Sequence, residues 1–317
     1  MSSEIAEGLA REVTVAEPDR PGRLHRLRRA RYQGERIEWV AYLFLLPYVV
    51  LAFLFVILPI LAGVVVSLTE WKLLGDPKWI GLANFARIPD DVDIRMVYGN
   101  TLRYAAIVVP STMVVALALF VHRKMRGTAF ARTSFFMPYV LSVTVTSIIW
   151  IWLLENQYGL VNLGLAKLGI SFIPWLTTRE WVMVSIAMTS VWSTAGFFMV
   201  ILLSGLQDIP AELYDAAHVD GASGWQRVWY VTLPLLRPVL SYVLTMQTIF
   251  AMKEFSRMYL MTSGGPAGSS LSIMYHLWRT SFQRFQMGYG AALALLLFAV
   301  ILVVTIIQRR LFRETAY

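Results

Sequence analysis

Residues 210–234 read PAELYDAAHVDGASGWQRVWYVTLP. Pro210 suits the first turn of a helix, and Glu212 and Asp215 place acids near its start. Gly221 stands just past the end of that helix, where left-handed geometry excludes most residues. Ser223 with Gln226 three residues later is a capping-box pattern that starts a second helix. Trp225, Val228 and Trp229 follow at spacings of three and four and share one face. Pro234 and Pro238 bring the second helix to an end. The stretch therefore predicts helix, glycine turn, helix. It lies between two long apolar runs, at 181–206 and 239–262.

The rest of the chain explains those runs. Of 317 residues, 57% are hydrophobic and 15% are charged, against about a quarter charged in soluble domains. Six segments are long enough to cross about 30 Å of hydrocarbon: roughly 40–68, 100–121, 134–155, 181–206, 239–262 and 288–308. The expected fold is an all-α integral membrane protein with six transmembrane helices. Cysteine is absent, which excludes a disulfide framework and a thiolate metal site.

The net charge of +8 is unevenly spread. Arg11, Arg20, Arg23, Arg26, Arg28, Arg29, Arg31 and Arg36 crowd residues 1–38. Clustered basic residues before a first span hold that end in the cytoplasm, and this reading is preferred to a nucleic-acid-binding tail. With that end inside, segments 1–38, 122–133, 207–237 and 309–317 carry roughly twice the Lys and Arg of the opposite side. Both termini are thus expected to be cytoplasmic. Trp150, Trp152 and Trp181 fall at outer interfaces. The expected organisation is a basic cytoplasmic arm at 1–38, a transmembrane domain at 39–313 with the cytoplasmic loop 207–237, and a short tail at 314–317.

On spacing alone, the cytoplasmic loop serves equally as a hairpin lying on lipid or as a docking surface for a soluble partner. No Gly-x4-Gly-Lys-Ser/Thr phosphate loop occurs, so ATP hydrolysis by that route is excluded. His-Glu-x-x-His and Gly-x-Ser-x-Gly are also missing, which argues against a membrane-embedded enzyme. His25, His122, His218 and His276 show no ligand spacing, and no metal is expected.

Polar residues inside spans are costly and mark functional candidates. The fourth span carries a mostly polar stripe of Thr189, Ser190, Ser193, Thr194 and Phe197. The fifth carries Gln247, Lys253, Glu254 and Arg257. Two readings stay open for each set. The hydroxyls either meet a substrate or bond their own backbone. Glu254 and Arg257, three apart, either pair structurally or contact a ligand.

The stretch at 210–234 resembles the cytoplasmic signature of importer permeases in the ATP-binding-cassette superfamily. That signature runs Glu-Ala-Ala, three residues, Gly, nine residues, an aliphatic residue, one residue and Leu-Pro. Here Asp215-Ala216-Ala217, Gly221 and Val231-Thr232-Leu233-Pro234 match the spacing throughout, with Asp215 in place of Glu. WIGLANFARI (79–88), MTSGGPAGSS (261–270) and QMGYGAALALLLF (286–298) resemble segments of the carbohydrate branch, of the maltose and glycerophosphodiester type.

The resemblance implies a type I importer permease fold in the inner membrane of a prokaryote. It implies one half of a sugar pathway worked by alternating access. It makes the loop a coupling element that docks in an ATPase subunit through Glu212, Tyr214, Asp215, Ala216, Ala217, Asp220, Gly221, Trp225, Trp229 and Pro234. Matching positions turn Ser190, Ser193, Thr194, Phe197, Met246, Ile249, Phe250 and Lys253 toward the pathway, beside the span residues Gln247 and Glu254. Lys253 there suits a phosphorylated or acidic sugar, or hydrogen-bonds a neutral one. The implied partners are a second, different permease, two ATPase subunits that hold ATP and Mg, an external solute-binding protein, the sugar and membrane lipid. Nucleic acid is not among them, and no cofactor is expected in this chain. The main rival is an ion-gradient-driven secondary transporter, which predicts inverted repeats and helices broken at the midplane. Neither is evident in the sequence.

Overall fold

The computed structural model describes residues 39–73, 75–121 and 128–312. The arm at 1–38, the basic loop 122–127 and the tail lie outside the described residues. By contacts the chain divides into two compact units, residues 1–59 and 60–317. The described part of the first is helical, Trp39–Ala52 followed by a π turn at Phe53–Ile57. From Tyr42 onward these residues belong to the first long helix, α1 (Tyr42–Ser67).

The second unit continues with a two-residue hairpin, β1 (Thr69–Glu70) and β2 (Lys78–Trp79), antiparallel with Thr69 opposite Trp79. Then come a short helix α2 (Ala83–Arg87), a 3₁₀ turn at Ile88–Asp90 and the long helix α3 (Val92–Val121). Helices α4 (Thr128–Val140), α5 (Val143–Leu153) and α6 (Leu160–Lys167) precede the central helix α7 (Arg179–Gln207). The loop holds α8 (Ala211–Val219) and α9 (Gly224–Leu235). The chain closes with α10 (Arg237–Met252), α11 (Ser256–Thr262), α12 (Ile273–Trp278) and α13 (Met287–Leu311).

Helix α7 organises the second unit. It packs along α3 and α4, and Val182, Ile186, Ala187, Phe198 and Leu202 on it are fully buried. The close approach of α4 depends on Gly196, where a Cβ would run into the backbone carbonyl of Phe135. Around the hairpin, the Asn84 amide donates to the carbonyls of Ser67 (2.8 Å) and Thr69 (2.9 Å). It thereby satisfies carbonyl oxygens released where α1 ends. Met287 N donates to the Trp71 carbonyl (2.9 Å), fixing the head of α13 to the same corner.

Three expected spans differ from what is found. The second begins earlier, at Val92. The third is two helices, α4 and α5, bent by 105° at Leu141–Ser142. Pro138 lies inside α4, and Ser142 caps α5 by accepting from Thr144 N (3.3 Å). The fifth is also two helices, parted at Lys253–Phe255. Among the described residues, four helices are long and apolar enough to cross a membrane singly, and six spans are reached only if α4–α5 and α9–α10, the latter bent by 69°, each count as one. Interrupted helices, not read from the sequence, are therefore present. They are stabilised by side-chain caps, one of them reaching Glu254 from Ser272, which apolar periodicity does not report.

Replacing Gly196 with Val is expected to destabilise the α4–α7 contact by about 1–3 kcal/mol, the usual cost of overpacking. Gly164→Ala on α6, where a Cβ meets nothing within 4 Å, is the control. A thermal melt of the purified protein in detergent should show a lower midpoint for Gly196→Val only.

Candidate functional site

A cavity of about 300 Å³ opens where α3, α4, α5, α7 and α10 meet around the break at Lys253–Phe255. The break supplies its polar wall. Glu254 Oε1 accepts from Arg257 N (3.0 Å), replacing an intrahelical bond that the first turn of α11 lacks. Ser272 Oγ donates to the Glu254 carbonyl (2.7 Å), so an acceptor at the break is also satisfied. Arg257 Nη1 lies 2.7 Å from Glu254 Oε2, with side-chain exposures of 8% and 11%. Arg257 Nη2 donates to Ser193 Oγ (2.7 Å) on α7, and the Tyr104 hydroxyl reaches Glu254 Oε2 at 3.4 Å from α3. Three helices are thus tied to one ion pair.

Of the residues expected on the pathway, Ser190, Ser193, Thr194, Gln247, Phe250, Lys253 and Glu254 line this cavity. Phe197, Met246 and Ile249 are not among its lining residues. Phe197 stacks on Tyr139, which does line it, at 4.3 Å and 13°, while Met246 packs against the cluster around Phe198. Thr189 is buried and donates to the Ser185 carbonyl. Ser193 and Thr194 both donate to the Ser190 carbonyl (3.0 and 2.8 Å), so their hydroxyls are partly spent on their own helix. Gln247 Nε2 donates to Thr112 Oγ1 (3.1 Å), whereas its Oε1 is buried without a partner. Lys253 is exposed on the cavity wall and has no ion-pair partner among the described residues. Tyr104, Pro138, Tyr139 and Thr146 also line the cavity and were not singled out in the sequence. They sit in ordinary-looking apolar runs, and only the bend between α4 and α5 brings two of them to the wall.

The loop forms the second candidate site. Gly221 has φ of 76°, and Ala222 N donates to the Ala217 carbonyl (2.9 Å), closing α8 in the left-handed cap expected there. The capping box is made in both directions: Ser223 Oγ accepts from Gln226 N and Gln226 Oε1 from Ser223 N. The Tyr214 hydroxyl meets Thr232 Oγ1 at 3.1 Å, bracing α8 against α9. Trp225 and Trp229 pack edge to face at 5.8 Å, yet stay 70% and 53% exposed. Glu212, Asp215, Ala216, Asp220 and Gly221 are exposed, and Ala217 and Pro234 are partly so. Large apolar surface held this open on a braced element marks a site that meets either a partner protein or lipid.

A third cluster was missed by sequence reasoning. Asp91, Asp93 and His276 bring their ligand-type atoms within 4.8 Å of one another. More than half of the chain separates the two aspartates from the histidine, and no spacing rule spans that distance.

The family described as "Binding-protein-dependent transport system inner membrane component" matches residues 111–317. The sulfoquinovosyl glycerol transport system permease protein SmoG of Agrobacterium fabrum is 33% identical over 284 residues, 88% of this chain and 92% of that one. The trehalose/maltose transport system permease protein MalF of Thermococcus litoralis is 31% identical over 280 residues, 86% of this chain and 94% of that one. Among solved structures, a bacterial alginate transporter of the ATP-binding-cassette type superposes with a TM-score of 0.76 at 22% identity. It covers 88% of this chain and 95% of that one, a likeness of fold.

The ion pair generates a clear expectation. Glu254→Gln or Arg257→Gln alone leaves an unpaired buried charge and should cost about 3–5 kcal/mol. The double variant should cost less than the sum of the two. A double-mutant cycle on thermal or denaturant stability in detergent measures that coupling.

Proposed function

The chain belongs to the family of inner-membrane components of binding-protein-dependent transport systems, and on that premise we propose that it forms one half of the pathway of an ATP-driven sugar importer. It is a multi-pass membrane permease. The chain carries no phosphate loop, so the motor is a separate pair of ATPase subunits that hold ATP and Mg. The observation that carries this reading is the braced element α8–α9. Its Asp215-Ala216-Ala217 to Leu233-Pro234 pattern coincides with an exposed tryptophan face and a left-handed glycine joint. An amphipathic helix seated in a partner's groove is a standard recognition mode, and tryptophans of this kind carry much of such binding energy.

The remaining partners follow from the same family. A second, different permease completes the pathway, and an external solute-binding protein of a prokaryotic cell delivers the cargo. ATP binding closes the motor and opens the cavity outward; hydrolysis returns it inward. The interrupted helices do not favour a gradient-driven transporter, since family membership assigns the chain to binding-protein-dependent import.

Sugar as cargo is supported by the relatives, whose names include trehalose/maltose and sulfoquinovosyl glycerol. The cavity offers hydroxyls at Ser190, Ser193 and Thr194 and aromatic faces at Tyr139 and Phe250. Lys253 adds a cation that the Glu254–Arg257 pair leaves uncompensated, which favours a sugar bearing a carboxylate, sulfonate or phosphate.

Two measurements test this. Gly221→Val meets no steric obstacle but forces a β-branched residue into a left-handed conformation. It is expected to abolish ATP-dependent uptake in vesicles while membrane insertion stays normal. Unchanged uptake would contradict the coupling role. Trp225→Ala with Trp229→Ala should loosen the ATPase subunits on co-purification. Lys253→Met should raise the cargo concentration needed for half-maximal ATPase stimulation about tenfold, the scale of one charge-assisted hydrogen bond; an unaffected dose response removes Lys253 from the pathway.

A further inference from the structure

We propose that Asp91, Asp93 and His276 form a binding site for one divalent transition-metal ion of the zinc type, at the corner where the turn before α3 meets α12. His276 is fully buried, and neither of its ring nitrogens has a hydrogen-bond partner among the described residues. A neutral imidazole has one donor and one acceptor to satisfy, and leaving such groups orphaned costs about 1–3 kcal/mol. Two carboxylates stand beside it, and all three ligand-type atoms lie within 4.8 Å of one another. No hydrogen bond joins the imidazole to either acid. The spacing suits an ion instead: ligands held at about 2.0–2.2 Å from one metal lie roughly 3–4.4 Å apart.

The donor set selects the metal. One imidazole nitrogen with two carboxylate oxygens suits zinc and its neighbours, whereas calcium wants six to eight oxygens. Asp91 is already oriented: the Tyr289 hydroxyl donates to its Oδ2 (2.7 Å) and Asp93 N to its Oδ1 (3.0 Å). Second-shell bonds of this kind fix ligating carboxylates elsewhere.

The opposing charges are Arg279 and Arg284, each 3.6 Å from Asp93 Oδ2, and Arg87, whose guanidinium lies 4.2 Å from the Tyr289 ring centre. Arg284 is 45% exposed and free to turn to water when an ion takes the carboxylate, whereas Arg279 is 31% exposed with its Nε buried. They lower the affinity and leave the geometry intact. An ion there pins the start of α3, which carries Tyr104 to the cavity, against the segment that leads into α13. The proposal stands independently of the transport reading.

The test uses the full-length protein, purified in detergent without a polyhistidine tag and stripped with EDTA. Wild type incubated with zinc chloride and desalted should retain one equivalent of zinc by elemental analysis. Its thermal midpoint should rise by about 3 °C or more, with no such rise in magnesium chloride. Asp93→Asn, at a half-exposed position, and His276→Gln should each lose the retained zinc and the shift. If His276→Gln fails to fold, Asp93→Asn decides. Wild type that retains no zinc, or Asp93→Asn that retains zinc and shift undiminished, overturns the site and leaves an arginine–aspartate cluster alone.

Discussion

A backbone that breaks inside a hydrocarbon layer must find new partners for every group it releases. At Lys253–Phe255 this chain meets that constraint with one carboxylate. Glu254 caps α11 through its side chain, passes its own carbonyl to Ser272 and neutralises Arg257. Arg257 in turn reaches Ser193 on α7, and Tyr104 closes from α3. The cavity exists because this network allows the span to stop and restart. Without it, the polar wall collapses into an ordinary apolar helix.

The two candidate sites are joined by one rod. Helix α9 turns through 69° into α10, whose 16 residues run from Arg237 to Met252, about 24 Å at 1.5 Å per residue. One end of α10 joins α9, which carries the exposed tryptophan face, and the other ends at Lys253 on the cavity wall. In the proposed coupling role, a displacement of α8–α9 would pass along α10 to the groups that line the cavity. The glycine joint, the capping box and the Tyr214–Thr232 contact keep α8 and α9 from absorbing that displacement themselves.

Much of this was legible in the sequence where chemistry is local. The left-handed Gly221, the Ser223–Gln226 box and the Glu254–Arg257 pair all rest on spacings of a few residues, and all three are found. The break in the fifth span was not legible. Met252, Phe255 and Met258 continue an apolar stripe at helical spacing, and the Ser272 hydroxyl that stabilises the interruption arrives from another segment. The bend at Leu141–Ser142 was hidden in the same way, although Pro138 and Ser142 together are a signal that apolar length outweighed. Phe197, Met246 and Ile249, placed on the pathway by matching positions, do not line the cavity, because position along a helix does not fix how that helix is rotated. The Asp91–Asp93–His276 cluster left no trace in spacing.

The central claim is that an external motor, acting through α8–α9, drives a pathway that cannot power itself. Reconstitution in sealed vesicles with the companion permease and the solute-binding protein, with and without the ATPase subunits, tests it most directly. The account predicts accumulation of radiolabelled cargo against its gradient only when ATPase subunits and ATP are both present. Accumulation without them, driven by an imposed proton or sodium gradient, would contradict it.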